Sequence, residues 1–148
     1  LETLSTMNPS YCRISSSARR STAGENGYSK AAVPRILRST YAYHLSRGWD
    51  DIGYNFLVDR FGRIWEGRAG GVEKAIQGAH AGGFNYETFG VSLMGNFDGG
   101  TKPSAAALDA AARLIAWKLD LFRVDPLGKT KLTSAGGGTA RYRSGKTV

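Results

Sequence analysis

Apolar residues first fall into a regular pattern at Val33. From there Val33, Ile36, Leu37, Thr40, Tyr41 and His44 recur at the three- and four-residue spacing of one helix face. Pro34 suits the first turn of such a helix and Gly48 its end. The next run, Ile52-Gly53-Tyr54-Asn55-Phe56-Leu57-Val58, has strand length and strand composition. Asp59-Arg60-Phe61-Gly62 then separates it from Arg63-Ile64-Trp65-Glu66, and two short apolar runs across a Gly-containing turn predict a β-hairpin. Phe89-Gly90-Val91-Ser92-Leu93-Met94-Gly95 reads as a third strand, apolar enough to be buried on both faces. Pro103 opens a second helix, whose expected buried stripe is Leu108, Ala111, Ala112, Ile115, Leu119 and Phe122. Asp109, Arg113 and Asp120 face away from it, the first two as an i, i+4 ion pair.

The ends are less regular. Residues 1–29 hold little apolar periodicity, and 1–21 read as an irregular head before a domain over 22–148. After Asp125-Pro126, Thr130–Ala135 looks like one arm of a hairpin, Gly136-Gly137-Gly138 its turn, and the remainder a second arm cut short. This order predicts a single α+β domain, one sheet covered by helices. Three strands are few for such a sheet: either the irregular head and the tail supply strands that the pattern does not show, or the sheet is incomplete at its first and last strands and the domain truncated at its C-terminal side. Residues 67–88, Gly-rich and about twenty long, form the longest connection, and loops of that length are usually functional.

Composition narrows the class of function. The 148 residues carry 20 Lys+Arg against 12 Asp+Glu, a net charge of +8. The excess is uneven: +4 over residues 1–50, −2 over 51–100 and +6 over 101–148. Half of the aromatics lie in the acidic middle, which is the reverse of a phosphate-tracking surface, so no specific nucleic-acid partner is expected. No apolar run reaches the ~18 residues of a membrane-spanning helix, and the opening Leu-Glu-Thr-Leu-Ser lacks the pattern of a signal peptide. The single cysteine, Cys12, excludes an internal disulfide.

Titratable candidates are few. His44 lies on the first helix stripe, where a hydrogen-bonded core-edge histidine is the simplest reading. His80, in Gln77-Gly78-Ala79-His80-Ala81-Gly82-Gly83-Phe84-Asn85, occupies the long loop, where a ligand contact is more plausible. Tyr54 either fills the core or aims a phenol at the loop. Asp50-Asp51 is expected to order the turn between helix and strand, and Glu66 with Arg68 to form a surface ion pair. Gly24-Glu25-Asn26-Gly27 lacks the Lys-Ser/Thr of a phosphate loop.

Taken in order, Tyr43-His44, Gly48-Trp49-Asp50-Asp51-Ile52-Gly53-Tyr54-Asn55-Phe56, Gly62-Arg63-Ile64-Trp65-Glu66-Gly67-Arg68, Gly78-Ala79-His80 with Phe84-Asn85, and Gly90-Val91-Ser92-Leu93-Met94-Gly95-Asn96-Phe97 resemble the peptidoglycan recognition protein and type-2 N-acetylmuramoyl-L-alanine amidase family. The resemblance spans roughly residues 22–135. It implies a mixed central β-sheet flanked by helices and a groove for the glycan and stem peptide of peptidoglycan. It further implies a zinc-dependent hydrolase cutting the amide between N-acetylmuramic acid and L-alanine, and a secreted or cell-envelope location. By the same resemblance Tyr54 is the catalytic phenol beside the metal-bound water, and His44, His80 and Asn85 line the substrate groove.

The zinc ligands do not carry over. Arg20 stands where the family places its first ligand, the leading histidine of a His-His-Thr triplet, and no match to the later histidine and cysteine follows. A substitute site from Cys12, His44 and His80 would require both histidines to leave their substrate positions. The expectation is a chain of amidase lineage that holds no zinc and is catalytically impaired. A peptidoglycan-binding module that does not cut is the alternative.

Overall fold

A computed structural model describes residues 11–16, 26–97 and 100–148; of the expected head, Arg20 lies outside them. The elements in chain order are β1 (Tyr11–Ser16), a 3-10 turn (Lys30–Ala32), α1 (Val33–Ser46), β2 (Phe56–Val58), β3 (Ile64–Glu66), β4 (Thr88–Leu93) and α2 (Ala105–Leu121). The sheet runs β1-β4-β2-β3. β4 pairs parallel with β1 and with β2, and β2 pairs antiparallel with β3, so the sheet is mixed.

β1 corrects the expectation of an irregular head. β4 is buried along all six residues, and β2 covers only its Val91–Leu93 end. Without a second neighbour its remaining backbone groups would be buried and unpaired. β1 supplies that neighbour, in register from Tyr11 opposite Thr88 to Ser16 opposite Leu93. Ladder bonds are made by the backbone, so Ser15 and Ser16 do not prevent them. An alternation pattern could not have revealed such a strand.

The side chains of β2 split by the period of two. Phe56 and Val58 join Phe89, Val91 and Leu93 in a core against Ala107, Ala110, Ala111 and Leu114 of α2. Leu57 points to the other face, into a cluster with Val33, Ile52 and Met94, on which Ile36 and Leu37 of α1 pack. One helix therefore covers each face. Burial of these stripes supplies the apolar driving force, at about 25 cal/mol per Å².

The α1 stripe forms as expected except at one edge, and the α2 stripe is rotated. On α1, Val33, Thr40 and His44 are buried, but Tyr41 is 43% exposed, because at 100° per residue it lies about 80° from the line through Val33. On α2 the buried positions are Ala107, Ala110, Ala111, Leu114, Lys118 and Leu119, while Leu108 is exposed. Alanines on both flanks make the pattern ambiguous, and hydropathy gives a lysine no place at the centre of a buried stripe. The Arg113–Asp109 pair forms as expected, at 2.7 Å and in solvent.

Ser104 caps α2, its hydroxyl accepting from the Ala107 N–H at 3.1 Å. In the tail, Leu132 and Val148 exchange N–H···O bonds of 3.0 and 2.9 Å around a Thr133–Thr147 bridge, so the two expected arms meet without becoming regular strands.

Candidate functional site

His44 ends up in the last turn of α1, and Gly48, at φ 78°, turns the chain back so that Trp49 stacks on the imidazole at 4.7 Å. The Tyr54 ring lies 6.1 Å away, tilted to the imidazole. Nδ1 of His44 accepts the Gly53 N–H at 3.3 Å, which assigns the ring proton to Nε2. Burial, followed by the Arg68 charge, pushes the His44 pKa below the ordinary histidine value, and Asp51 opposes them. The imidazole is therefore neutral at physiological pH.

A group of this kind has a defined pH signature. The unfolded chain takes up a proton near pH 6.5, whereas the folded site resists until lower pH. Stability is thus complete above about pH 6.5 and falls as pH drops through the window below it. Thermal melts between pH 7.5 and 5 are expected to show this loss, and His44→Gln is expected to reduce it.

Residues 67–87 connect β3 to β4 and carry His80 and Asn85. The loop is tied down by polar groups, since it has little apolar content to bury. Arg68 donates from Nε to the Ile52 carbonyl at 3.2 Å and from an η-nitrogen to Gln77 at 3.1 Å. This corrects the expected Glu66–Arg68 pair: Glu66 instead accepts from the Gly71 N–H at 3.1 Å. Asp51 orders its turn as expected, accepting from Ile52 at 2.6 Å and from Ala69, across the loop, at 2.7 Å.

Asn85 turns its Oδ1 inward, to the N–H groups of His80 and Ala81 at 2.8 and 2.7 Å. It therefore shapes the backbone around His80. The His80 ring places Nε2 3.3 Å from Thr88 Oγ1 and lies flat against Gly90 of β4, where an added Cβ would fall 2.5 Å from its Cγ. Gly53 links the two histidines, donating to His44 and accepting from the Ala79 N–H at 2.8 Å. So His44 and Tyr54 come together directly, and His80 joins them through one backbone bond.

Asn55 is the site residue to which the sequence reading assigned no role. It is buried, donates to the Ile76 carbonyl at 2.6 Å and accepts from the Gly90 N–H at 2.8 Å, so it fastens loop to sheet directly behind His80. An amide inside the run Tyr54-Asn55-Phe56-Leu57 was the available signal, because a buried amide must find partners. A hollow of about 590 Å³ opens beside this arrangement. Ala81, Phe84 and Thr88 form one wall, and Leu132, Arg141 and Tyr142 of the tail the other.

The model of the family described as N-acetylmuramoyl-L-alanine amidase matches residues 9–141. The chain belongs to that family. The match reaches further at both ends than the blocks read from the sequence, and its first residues lead into β1. Among curated relatives of this amidase-family chain, peptidoglycan-recognition protein SC2 of Drosophila melanogaster is 44% identical over 85 residues, 57% of this chain and 44% of the relative. Human peptidoglycan recognition protein 3 is 42% identical over 92 residues, 62% of this chain and 25% of the relative. Each match thus spans under half of the relative.

Solved structures give the same family and fold. Drosophila PGRP-LB superposes with a TM-score of 0.67 at 32% identity, over 80% of this chain and 66% of that one. A point mutant of PGRP-LB in complex with tracheal cytotoxin gives 0.63 at 29%, over 81% and 65%.

The family is zinc-dependent, which the described residues alone do not accommodate. Among them, no three His, Cys, Asp or Glu side chains gather where one ion could be held. His44 already spends Nδ1 on Gly53, and Arg20 is outside the described residues.

Proposed function

We propose that this chain is a peptidoglycan-binding domain of amidase lineage, and that it takes the muramyl peptide into the hollow beside His80. The observation that carries this reading is the position of that hollow. It adjoins the loop held by Asn55 and Asn85, and its volume falls in the range of small-ligand pockets, roughly 300–1,000 Å³. Phe84, Leu132 and Tyr142 give the hollow apolar walls for a sugar or peptide, and Thr88, Thr139 and Arg141 give it hydrogen-bonding groups. The complex of PGRP-LB with tracheal cytotoxin supports a ligand of this general kind. In this reading Tyr54, His44, His80 and Asn85 serve recognition, and the protein works in the secreted fraction or the cell envelope.

Hydrolysis of the N-acetylmuramoyl-L-alanine amide is the second reading. It is favoured by the placement of the Tyr54 phenol beside His44, where it could donate to a developing oxyanion. One experiment separates the two. Soluble muramyl peptide is titrated calorimetrically, and the mixture, with and without added zinc, is assayed for free L-alanyl peptide. Binding without product supports the proposal. Product formation abolished by a chelator establishes the hydrolase instead, and no heat of binding sinks both.

A further inference from the structure

Lys118 occupies the centre of the buried α2 stripe and is 3% exposed. A leucine or methionine would fill that position at no electrostatic cost, whereas a buried ammonium must be compensated. Its compensation comes from the long loop: Nζ donates to the Val72 carbonyl at 2.6 Å and to the Lys74 carbonyl at 2.8 Å. The rings of Phe122, Trp117 and Phe56 surround the amine at 5.0, 5.6 and 5.8 Å. These aromatic faces favour a cation and exclude competing water.

The other tethers of the loop act further along. Arg68 holds Gln77, Asn55 holds Ile76, and Gly53 holds Ala79. The stretch from Val72 to Lys74 is tied to the α2 side by Lys118, across 46 and 44 residues of sequence. We infer that Lys118 is a positioning residue, whose ammonium pins residues 72–74 and so keeps the loop bearing His80 and Asn85 in its ligand-binding arrangement. This rests on the muramyl-peptide reading above.

The pinning depends on charge, because a charge-assisted bond to a carbonyl is about twice as strong as a neutral one. Burial lowers the Lys118 amine to about 8, opposed by Glu73. The other charged groups around it are Glu66 and Arg68 at the end of the hairpin, Lys74 in the loop and Glu87 ahead of β4. As pH rises through that value the ammonium is lost, so the tether weakens. His44 does not interfere, since its own pKa lies below the ordinary histidine value.

The test needs two readouts on the full chain. In Lys118→Met, trypsin cleavage after Lys74 is expected to rise about tenfold while cleavage elsewhere changes little, and the affinity for soluble muramyl peptide to fall about fivefold. Unchanged cleavage after Lys74, or an equal rise at every site, overturns the inference. Wild type supplies the second readout, which no folding defect can confuse: the methyl resonances of Val72 and Ile76 are followed from pH 7 to 9.5. A common inflection near pH 8 is expected, and no inflection overturns the tether. If wild type binds no muramyl peptide at all, the functional proposal falls, and the cleavage and methyl readouts still decide the role of Lys118.

Discussion

Asp59→Ala is expected to lower the unfolding free energy by about 3–5 kcal/mol, a large share of the roughly 5–15 kcal/mol of a typical domain. Asp59 is fully buried at the first position of the hairpin turn. Its Oδ1 accepts from the N–H groups of Phe61 and Arg63 at 2.9 and 3.1 Å, and its Oδ2 from Arg63 Nε at 2.6 Å and Trp65 Nε1 at 3.0 Å. Removing the carboxylate strands an indole donor and two backbone donors where water reaches them poorly. Arg63, 38% exposed at its side chain, recovers part of its loss by hydration, which places the expected value toward the lower end.

Asp59→Asn tests the same account more sharply. It keeps one acceptor, but if Oδ1 stays on the turn it turns an NH2 toward the two donors now served by Oδ2. The cost should approach that of alanine, and a near-neutral asparagine would show that charge and acceptor count matter little here. Acid gives a third check. Burial pushes the Asp59 carboxyl up, but the hydrogen bonds from Trp65, Arg63 and Phe61 outweigh it and hold the group below the ordinary carboxylate value. Its contribution is therefore complete above about pH 4 and is lost as pH falls through the lowered value. Urea titrations at pH 6 and pH 3 should show wild type losing more than the variant.

Gly90→Ala carries the largest expected effect on ligand binding, at least about a tenfold loss, together with an overpacking cost of about 1–3 kcal/mol. Gly90 is buried in β4, and the new methyl would lie 2.5 Å from Cγ of His80 and 2.8 Å from two further ring atoms. β4 cannot retreat, since it is paired on both sides and its Gly90 N–H is held by Asn55. The imidazole must move, and the loop residues fastened around it move too. Gly138→Ala, with nothing within 4 Å of the added carbon, is the matched control. Muramyl-peptide titration of the two variants reads the difference. Equal affinities would remove His80 from the binding site.

How far the sequence could be read depended on whether the reading needed only neighbours along the chain. The hairpin around Asp59-Arg60-Phe61-Gly62 is a local decision of turn chemistry and strand length, and it forms where expected. The stop of α1 at Gly48 is of the same kind. The role of Asn85 was less legible: family resemblance placed it at the groove, but its use as a brace for His80 and Ala81 depends on how the loop folds back. Lys118 was hidden for a related reason. Hydropathy assigns a lysine to solvent, and only the arrival of the Val72 and Lys74 carbonyls makes its burial tolerable.

By itself, then, the sequence determined the α+β class, the two helices, the hairpin, the buried strand and the family, because periodicity, turn residues and ordered motif blocks are carried by residues close together in the chain. Only the tertiary structure decided that residues 11–16 join the sheet beside β4, which face of α2 is buried, and that Arg68 serves the Ile52 and Gln77 carbonyls in place of Glu66. For α2 the deciding partners are the core side chains of β2 and β4; for β1 and for Arg68 the deciding partner is a backbone group. Its demand for a hydrogen bond appears in no pattern until the chain has brought the two together.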